Sequence, residues 1–114
     1  MAEQNASKII KEIHDVSNAN SLDEIKVLLS PVFDRYKVKR AVLFGSYAKG
    51  SANDKSDVDI LVDSGLRGLR FISLYEDIRR ALGNVVDLLD TTHIEADSKI
   101  EREIMETGVV IYER

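Results

Sequence analysis

Cysteine and tryptophan are absent from this 114-residue chain, and proline occurs once. Without cysteine the protein forms no disulfide and offers no thiolate to a metal ion, which agrees with a reducing compartment and leads us to expect a cytoplasmic protein. No window approaches the roughly 18 apolar residues that cross a membrane, and the opening MAEQNASKIIKEIHDV lacks the apolar core of a signal peptide. We therefore expect no membrane as a partner.

Positive charge is also scarce. The chain has 16 Lys and Arg residues against 20 Asp and Glu residues, for a formal net charge of −4. Proteins that grip nucleic acid through its phosphates need many basic groups, so the composition argues against nucleic acid as a partner. We interpret the one basic cluster as solvated cations between a helix end and a strand. It contains Arg35, Lys37, Lys39 and Arg40.

The length fits one compact domain, and the 44% hydrophobic and 32% charged residues are typical of a globular protein. We predict a single domain over residues 21–114. An N-terminal helical extension over residues 1–20 is predicted from apolar residues at helical spacing. These are Ala6, Ile9, Ile10, Ile13 and Val16.

Helices and strands alternate along the rest of the chain. Ser21-Leu22-Asp23-Glu24 is a capping-box pattern that predicts a helix through Leu29, with a break or kink near Pro31 and a restart to about Tyr36. Further patterns predict strands at 39–44, 58–63, 84–90 and 109–112 and helices at 69–82 and 93–107, closed by Gly83 and Gly108. The alternation predicts an α+β or α/β domain around one sheet.

Two aspartates interrupt the second predicted strand. Residues two apart on a strand point to the same face, so Asp57 and Asp59 project together. A strand with one wet face is the simpler explanation, but carboxylates so placed repel each other, and Mg²⁺ prefers such oxygen ligands. Asp87 interrupts the third strand, which a right-handed crossover through helix 69–82 would place parallel beside the second. The pattern predicts a three-aspartate metal site.

Gly45 and Ser46 follow the first predicted strand. If a helix or tight turn begins at Ser46, its free N–H groups and the serine hydroxyl form an anion site, and glycine lets a phosphate approach the backbone. A phosphate-binding turn, here called the cradle, beside a metal site predicts that the protein binds a nucleotide. Tyr47 and Lys49 follow the cradle, where contact with base or phosphate and an exposed loop pair are equally good interpretations.

Together these residues resemble a known signature. Gly45-Ser46, ten intervening residues, Asp57-Val58-Asp59 and a later strand aspartate at Asp87 resemble the nucleotidyltransferase superfamily that includes DNA polymerase β. The GSYAKG form and the short chain resemble the minimal nucleotidyltransferases in particular, over about residues 21–112. The resemblance implies a mixed β-sheet flanked by helices, ATP as substrate and Mg²⁺ as cofactor, with two ions.

The resemblance also implies a partner and a role for each residue. Minimal nucleotidyltransferases are often paired with an all-helical HEPN protein, and in characterised pairs they are antitoxins that adenylylate a tyrosine of the HEPN toxin. By position, Gly45 and Ser46 would hold the triphosphate tail, while Asp57, Asp59 and Asp87 would bind metal and serve catalysis. The family commonly has arginine where this chain has Lys49, which keeps the charge but loses the planar fork.

Two other classes of function stay open from sequence. A non-catalytic binding module would neutralise its partner by complex formation, and the intact aspartates argue against it. Transfer of nucleotide to a small molecule or RNA would call for an acceptor-binding domain, for which the chain has little surface left. His14, His93, Asp54 and Asp63 are interpreted as surface, capping or turn residues.

Overall fold

The computed structural model describes residues 21–53 and 56–114, so the predicted extension over residues 1–20, with His14, and Asp54 lie outside the described residues. The elements follow in the order α1 (Leu22–Arg35), β1 (Arg40–Phe44), α2 (Gly45–Lys49), β2 (Val58–Asp63), α3 (Leu69–Leu82), β3 (Val86–Asp90), a 3₁₀ turn (Thr91–His93), α4 (Lys99–Thr107) and β4 (Val109–Glu113). Within the described ranges, no helix has the length and apolar character to cross a membrane.

The strands form one mixed sheet in the order β3-β2-β1-β4. β1 pairs antiparallel with both β2 and β4, whereas β2 and β3 are parallel. The parallel pair follows from the crossover through α3, as predicted, because a strand, a helix and a second strand in sequence return the chain in the same direction. The predicted α+β fold, a mixed sheet flanked by helices, is confirmed.

One face of the sheet carries the core. In β2, Val58, Ile60 and Val62 are fully buried, and the residues between them are only half-buried. The helices α1 and α3 contact each other and contribute fully buried side chains to the same cluster. These are Ile25, Leu29, Phe33, Leu74, Ile78 and Leu82. The alternation along β2 therefore directs Asp59 to the opposite face, away from these helices.

Pro31 lies inside α1, and the predicted break of the helix there is wrong. Proline lacks the N–H that would bond the carbonyl four residues earlier, on Val27. Pro31 is exposed and Val27 is 73% exposed, so the freed carbonyl lies on the solvent side of the helix. Leu29 and Val32 are buried on either side of the proline and hold both halves of the helix on one core.

The helix predicted from His93 is wrong in its first half. The chain forms the 3₁₀ turn and then a non-helical stretch, and α4 begins only at Lys99. Asp97 has a φ of 62°, outside the right-handed helical region, and the Ser98 hydroxyl caps α4 by accepting the N–H of Glu101 at 3.2 Å. The predicted capping role of His93 is confirmed, since its Nδ1 accepts the N–H of Asp90 at 3.0 Å.

Asp90 is a buried carboxylate, 3% exposed, at the end of β3. One oxygen accepts hydrogen bonds from the N–H and hydroxyl of Ser64 at 3.1 and 2.6 Å, and the other accepts from the N–H and hydroxyl of Thr92 at 3.1 and 2.8 Å. Burial alone raises the pKa of Asp90, but these hydrogen bonds together lower it below its ordinary value. Asp90 thereby joins the loop after β2 to the turn after β3.

We expect Asp90→Asn to lower the free energy of unfolding at pH 7 by about 1.5–3 kcal/mol, because an amide lacks the charge that the four donors stabilise. The folded pKa lies below the unfolded one, so this stabilisation is present above the unfolded pKa and is lost as pH falls through the folded pKa. Urea unfolding of both proteins from pH 7 downward should therefore show a shrinking difference. Asp63→Asn, half-buried at the end of the neighbouring strand, is the control, and equal losses in both variants would contradict this role.

Candidate active site

Three segments meet where β1 ends. Phe44, the last residue of β1, pairs with Asp59 of β2, and Asp59 pairs with Asp87 of β3. Gly45 follows directly and is the first residue of α2, which confirms the predicted turn into a short helix. The Gly45 turn, Asp59 and Asp87 therefore lie in a row across three neighbouring strands.

The three predicted aspartates differ in their surroundings. Asp59 is half-buried, and Asp57, which precedes β2 by one residue, is exposed. Asp87 is exposed on the edge strand β3. Burial, followed by the negative charges of Asp87, Glu103 and Asp57, raises the pKa of Asp59 from 3.8 to about 6. Each of these neighbours adds charge of the same sign, so a bound cation would relieve the repulsion around this carboxylate.

Glu103 of α4 belongs to this cluster and was missed in the sequence analysis. Its Oε1 lies 3.3 Å from the point that a Cβ on residue 45 would occupy, and α4 contacts α2. No sequence motif marks a glutamate in the middle of a helix. Helical periodicity also does not reveal which turn of the chain that helix packs against. Only the packing of α4 beside α2 brings Glu103 to the aspartates.

Gly45 is required at its position for two reasons. Its φ of 74° lies in the left-handed region, which favours glycine. A Cβ there would also overlap Oδ2 of Asp59. The missing side chain therefore lets the Asp59 carboxylate pack directly against the backbone of Gly45, which is buried.

The residues after Gly45 have distinct environments. Ser46 is half-buried, and its carbonyl oxygen accepts the N–H of Ser51 at 3.0 Å. Tyr47 is only 7% exposed, and its hydroxyl accepts a hydrogen bond from Nδ2 of Asn84 at 3.1 Å. The exposed-loop interpretation is therefore wrong for Tyr47, which is part of the core, whereas Lys49 is exposed in the last turn of α2.

The side chains fit a hard divalent cation in their chemistry. Carboxylate oxygens, as on Asp57, Asp59 and Asp87, are the ligands that Mg²⁺ prefers, and one of these carboxylates lies directly against Gly45. Among the residues that the structure describes, no three His, Cys, Asp or Glu side chains converge closely enough to enclose a metal ion. The three-aspartate metal site stays a prediction.

A cleft of about 280 Å³ begins at Asp87. Its lining comes from β3, from the segment between β3 and α4 and from the first turn of α4, and no residue of β1 or α2 contributes. The apolar part consists of Leu89, Ile94 and Ile100. One end of the row of site residues is therefore the Gly45 turn after β1, and the other end, at β3, borders an apolar cleft.

Known proteins resemble this chain in both sequence and fold. The family described as polymerase beta, nucleotidyltransferase matches residues 28–114. The protein adenylyltransferase MntA of Thermococcus cleftensis is 40% identical over 77 residues, which cover 60% of this chain and 76% of that protein.

Several solved structures have a similar fold, among them the following two. A chain of a toxin–antitoxin crystal structure with AMP-PNP has a TM-score of 0.66 at 22% identity, covering 78% of this chain and 73% of that one. A chain of a complex between a tri-AMPylated HEPN toxin of Shewanella oneidensis and an MNT antitoxin has a TM-score of 0.50 at 23% identity, covering 100% and 74%. Because the family match spans well over half of the sequence, the chain belongs to the polymerase β-type nucleotidyltransferase family.

Proposed function

We propose that this protein is an Mg²⁺-dependent adenylyltransferase that transfers AMP from ATP to a tyrosine hydroxyl of a HEPN-domain partner and thereby acts as its antitoxin. The observation that carries the proposal is the row formed by the Gly45 turn, Asp59 and Asp87 across neighbouring strands. Further support comes from the relative named protein adenylyltransferase MntA and from the similar chain found with an AMPylated HEPN toxin.

In this proposal the triphosphate binds at the Gly45 end of the row. Ser46 offers its hydroxyl and its backbone N–H at the start of α2. The absent Cβ of Gly45 keeps this turn close to the Asp59 carboxylate, so a phosphate at the turn and a cation held by Asp59 would be neighbours. Asp57, Asp59 and Asp87 would hold Mg²⁺, which when bound neutralises phosphate charge and makes the phosphorus more susceptible to attack. Charge balance also requires a cation, since a triphosphate would otherwise meet like-charged carboxylates.

The acceptor enters from the Asp87 end. In-line displacement puts the incoming oxygen and the leaving group on opposite sides of the phosphorus. With pyrophosphate at the Gly45 turn, the incoming hydroxyl lies toward β3, where the cleft opens with the apolar residues Leu89, Ile94 and Ile100. An apolar lining beside the Asp87 carboxylate suits the ring and hydroxyl of a tyrosine.

The transfer then balances as follows. The acceptor oxygen forms a bond to the α-phosphorus of ATP, the bond from that phosphorus to the bridging oxygen breaks, and pyrophosphate leaves. Asp87, at the acceptor end, takes up the proton of the hydroxyl. The products are an adenylylated partner and pyrophosphate, and the chain itself contributes chiefly position and charge.

We further propose that residues 21–114 act as a single nucleotidyltransferase domain in the cytoplasm. One core cluster includes residues from every helix and strand except α4, and the cysteine-free sequence suits a reducing compartment. Purification of the protein from fractionated cells, with limited proteolysis to test for one resistant unit, checks both statements.

Isotope labelling tests the proposed reaction. With a purified HEPN partner and Mg²⁺, we expect label at the α-phosphate of ATP to be retained on the partner and label at the γ-phosphate to leave as pyrophosphate. Mass spectrometry should show additions of whole AMP units on a tyrosine, and EDTA should stop them. Partner labelled from the γ-phosphate would identify a kinase instead, and AMP found only on RNA or a small molecule would refute a protein acceptor.

A further inference from the structure

The end of α4 is hydrogen-bonded to the turn that begins α2. The N–H of Gly45 donates to Oγ1 of Thr107 at 3.0 Å, across 62 positions of sequence. The hydroxyl of Thr107 in turn donates to the carbonyl oxygen of Glu103 at 2.7 Å. Thr107 uses its hydroxyl both as acceptor and as donor, so its orientation is determined from both sides.

The Gly45 peptide needs such an external partner. The first N–H groups of a helix have no acceptor within the helix. Phe44 stands at the N-cap position of α2, and its apolar ring has no atom that could accept a hydrogen bond. Thr107, on another helix, supplies the missing acceptor. Gly45 is left-handed and has no side chain of its own to restrict its conformation.

The last turn of α4 is itself held close to the sheet. A Cβ on Gly108 would overlap the carbonyl oxygen of Ile104 and would lie 3.0 Å from Cγ1 of Val42 in β1. The N–H of Gly108 also donates to that Ile104 carbonyl at 2.7 Å. Glycine at this position lets the end of α4 lie directly against β1, which sets the position of Thr107 beside the end of the same strand.

We propose that Thr107 is a positioning residue for the nucleotide-binding turn. By accepting the Gly45 N–H it holds that peptide in one orientation, so that the next donors along the turn, the N–H and hydroxyl of Ser46, face the substrate. This inference rests on the proposed function, in which the turn holds the triphosphate. Thr107 acts through Gly45 and belongs to none of the predicted ligands of metal or nucleotide.

The test compares Thr107→Val, which keeps the shape but removes the hydroxyl, with Thr107→Ser, which keeps the hydroxyl. We expect Thr107→Val to weaken binding of a non-hydrolysable Mg²⁺–ATP analogue about three- to tenfold by calorimetry and to raise the KM for ATP similarly, with a smaller change in kcat. Thr107→Ser should stay within about twofold of wild type. Thr91→Val is the control, because it makes the same exchange at an exposed residue that follows β3, at the end of that strand away from Asp87. It should change neither analogue binding nor the KM for ATP.

Hydrogen exchange of the Gly45 amide provides a readout that does not depend on activity. The amide should exchange faster in Thr107→Val than in wild type and should regain its protection in Thr107→Ser. Thr107→Ala, which removes the same oxygen without a branched side chain, replaces Thr107→Val if that variant melts below the assay temperature.

The possible failures are distinguishable. If wild type neither binds the analogue nor transfers AMP, the proposed function is refuted and the role of Thr107 with it. If wild type is active and Thr107→Val binds the analogue equally well, only the positioning role is overturned. Equal weakening in the valine and serine variants would assign the effect to packing and would also overturn it.

Discussion

Asp59→Asn is expected to lower the rate of AMP transfer at least about a thousandfold while leaving the fold and the partner complex intact. Asp59 is the central carboxylate of the row, paired in register with Phe44 on one side and Asp87 on the other. Loss of one neutral donor to a transition state costs about 10²–10³ in rate, and loss of a charged group that holds Mg²⁺ should cost no less. The rate is measured under single-turnover conditions, from the transfer of AMP labelled at the α-phosphate to the partner.

The variant should also stay folded. Burial, followed by the neighbouring carboxylates, raises the pKa of Asp59. A neutral amide therefore removes both the cost of burying a charge and the repulsion in the metal-free protein. We expect Asp59→Asn to melt in EDTA at a temperature no lower than that of wild type. A large loss of thermal stability would mean that the missing activity reports unfolding and would contradict the assignment of Asp59 to the site.

Asp63→Asn is the matched control. Asp63 lies on the same strand and the same face as Asp59, is also half-buried, and stands at the other end of β2. It should transfer AMP within about twofold of wild type. If Asp59→Asn protects cells from the HEPN partner as well as wild type does, neutralisation proceeds by complex formation and the non-catalytic binding module is the correct function.

The neighbouring strand segments were predictable because their signals are local. The apolar residues of β2 are interrupted by Asp59 and end at Asp63, and β2 has the predicted bounds. The parallel placement of Asp87 beside Asp59 followed from connectivity, since a strand–helix–strand unit has few ways to close. Most of the proposed site therefore comes from segments whose local structure can be predicted from hydrophobic periodicity and from the positions of glycines.

The contribution of α4 was not predictable, for physical reasons. Glu103 and Thr107 reach the Gly45 turn only because α4 packs beside α2, and helical periodicity identifies an apolar face without naming what it covers. The start of α4 was misplaced because Asp90 organises the preceding turn through hydrogen bonds to Thr92 and His93. Such side-chain capping competes with a helix that the residue pattern alone would continue.

Gly45→Ala is expected to reduce AMP transfer at least about a hundredfold, through loss of nucleotide binding. Two effects combine at this position. A left-handed φ of 74° costs a residue with a side chain about 1–2 kcal/mol, and the added methyl group would displace the Asp59 carboxylate that it overlaps. The turn and Asp59 would then move apart, and the phosphate and the cation that they hold in the proposed function would be separated.

Gly50→Ala separates the two effects. Gly50 closes the same short helix with a φ of 75°, and the position that its Cβ would take has no heavy atom within 4 Å beyond its chain neighbours. It should therefore show the conformational cost alone, a loss of about 1–2 kcal/mol in the free energy of unfolding with AMP transfer within about threefold of wild type. Calorimetric binding of the Mg²⁺–ATP analogue and urea unfolding of both variants measure this difference. Equal losses of transfer in the two variants would show that backbone strain, and not the close approach of Asp59, explains the glycine at position 45.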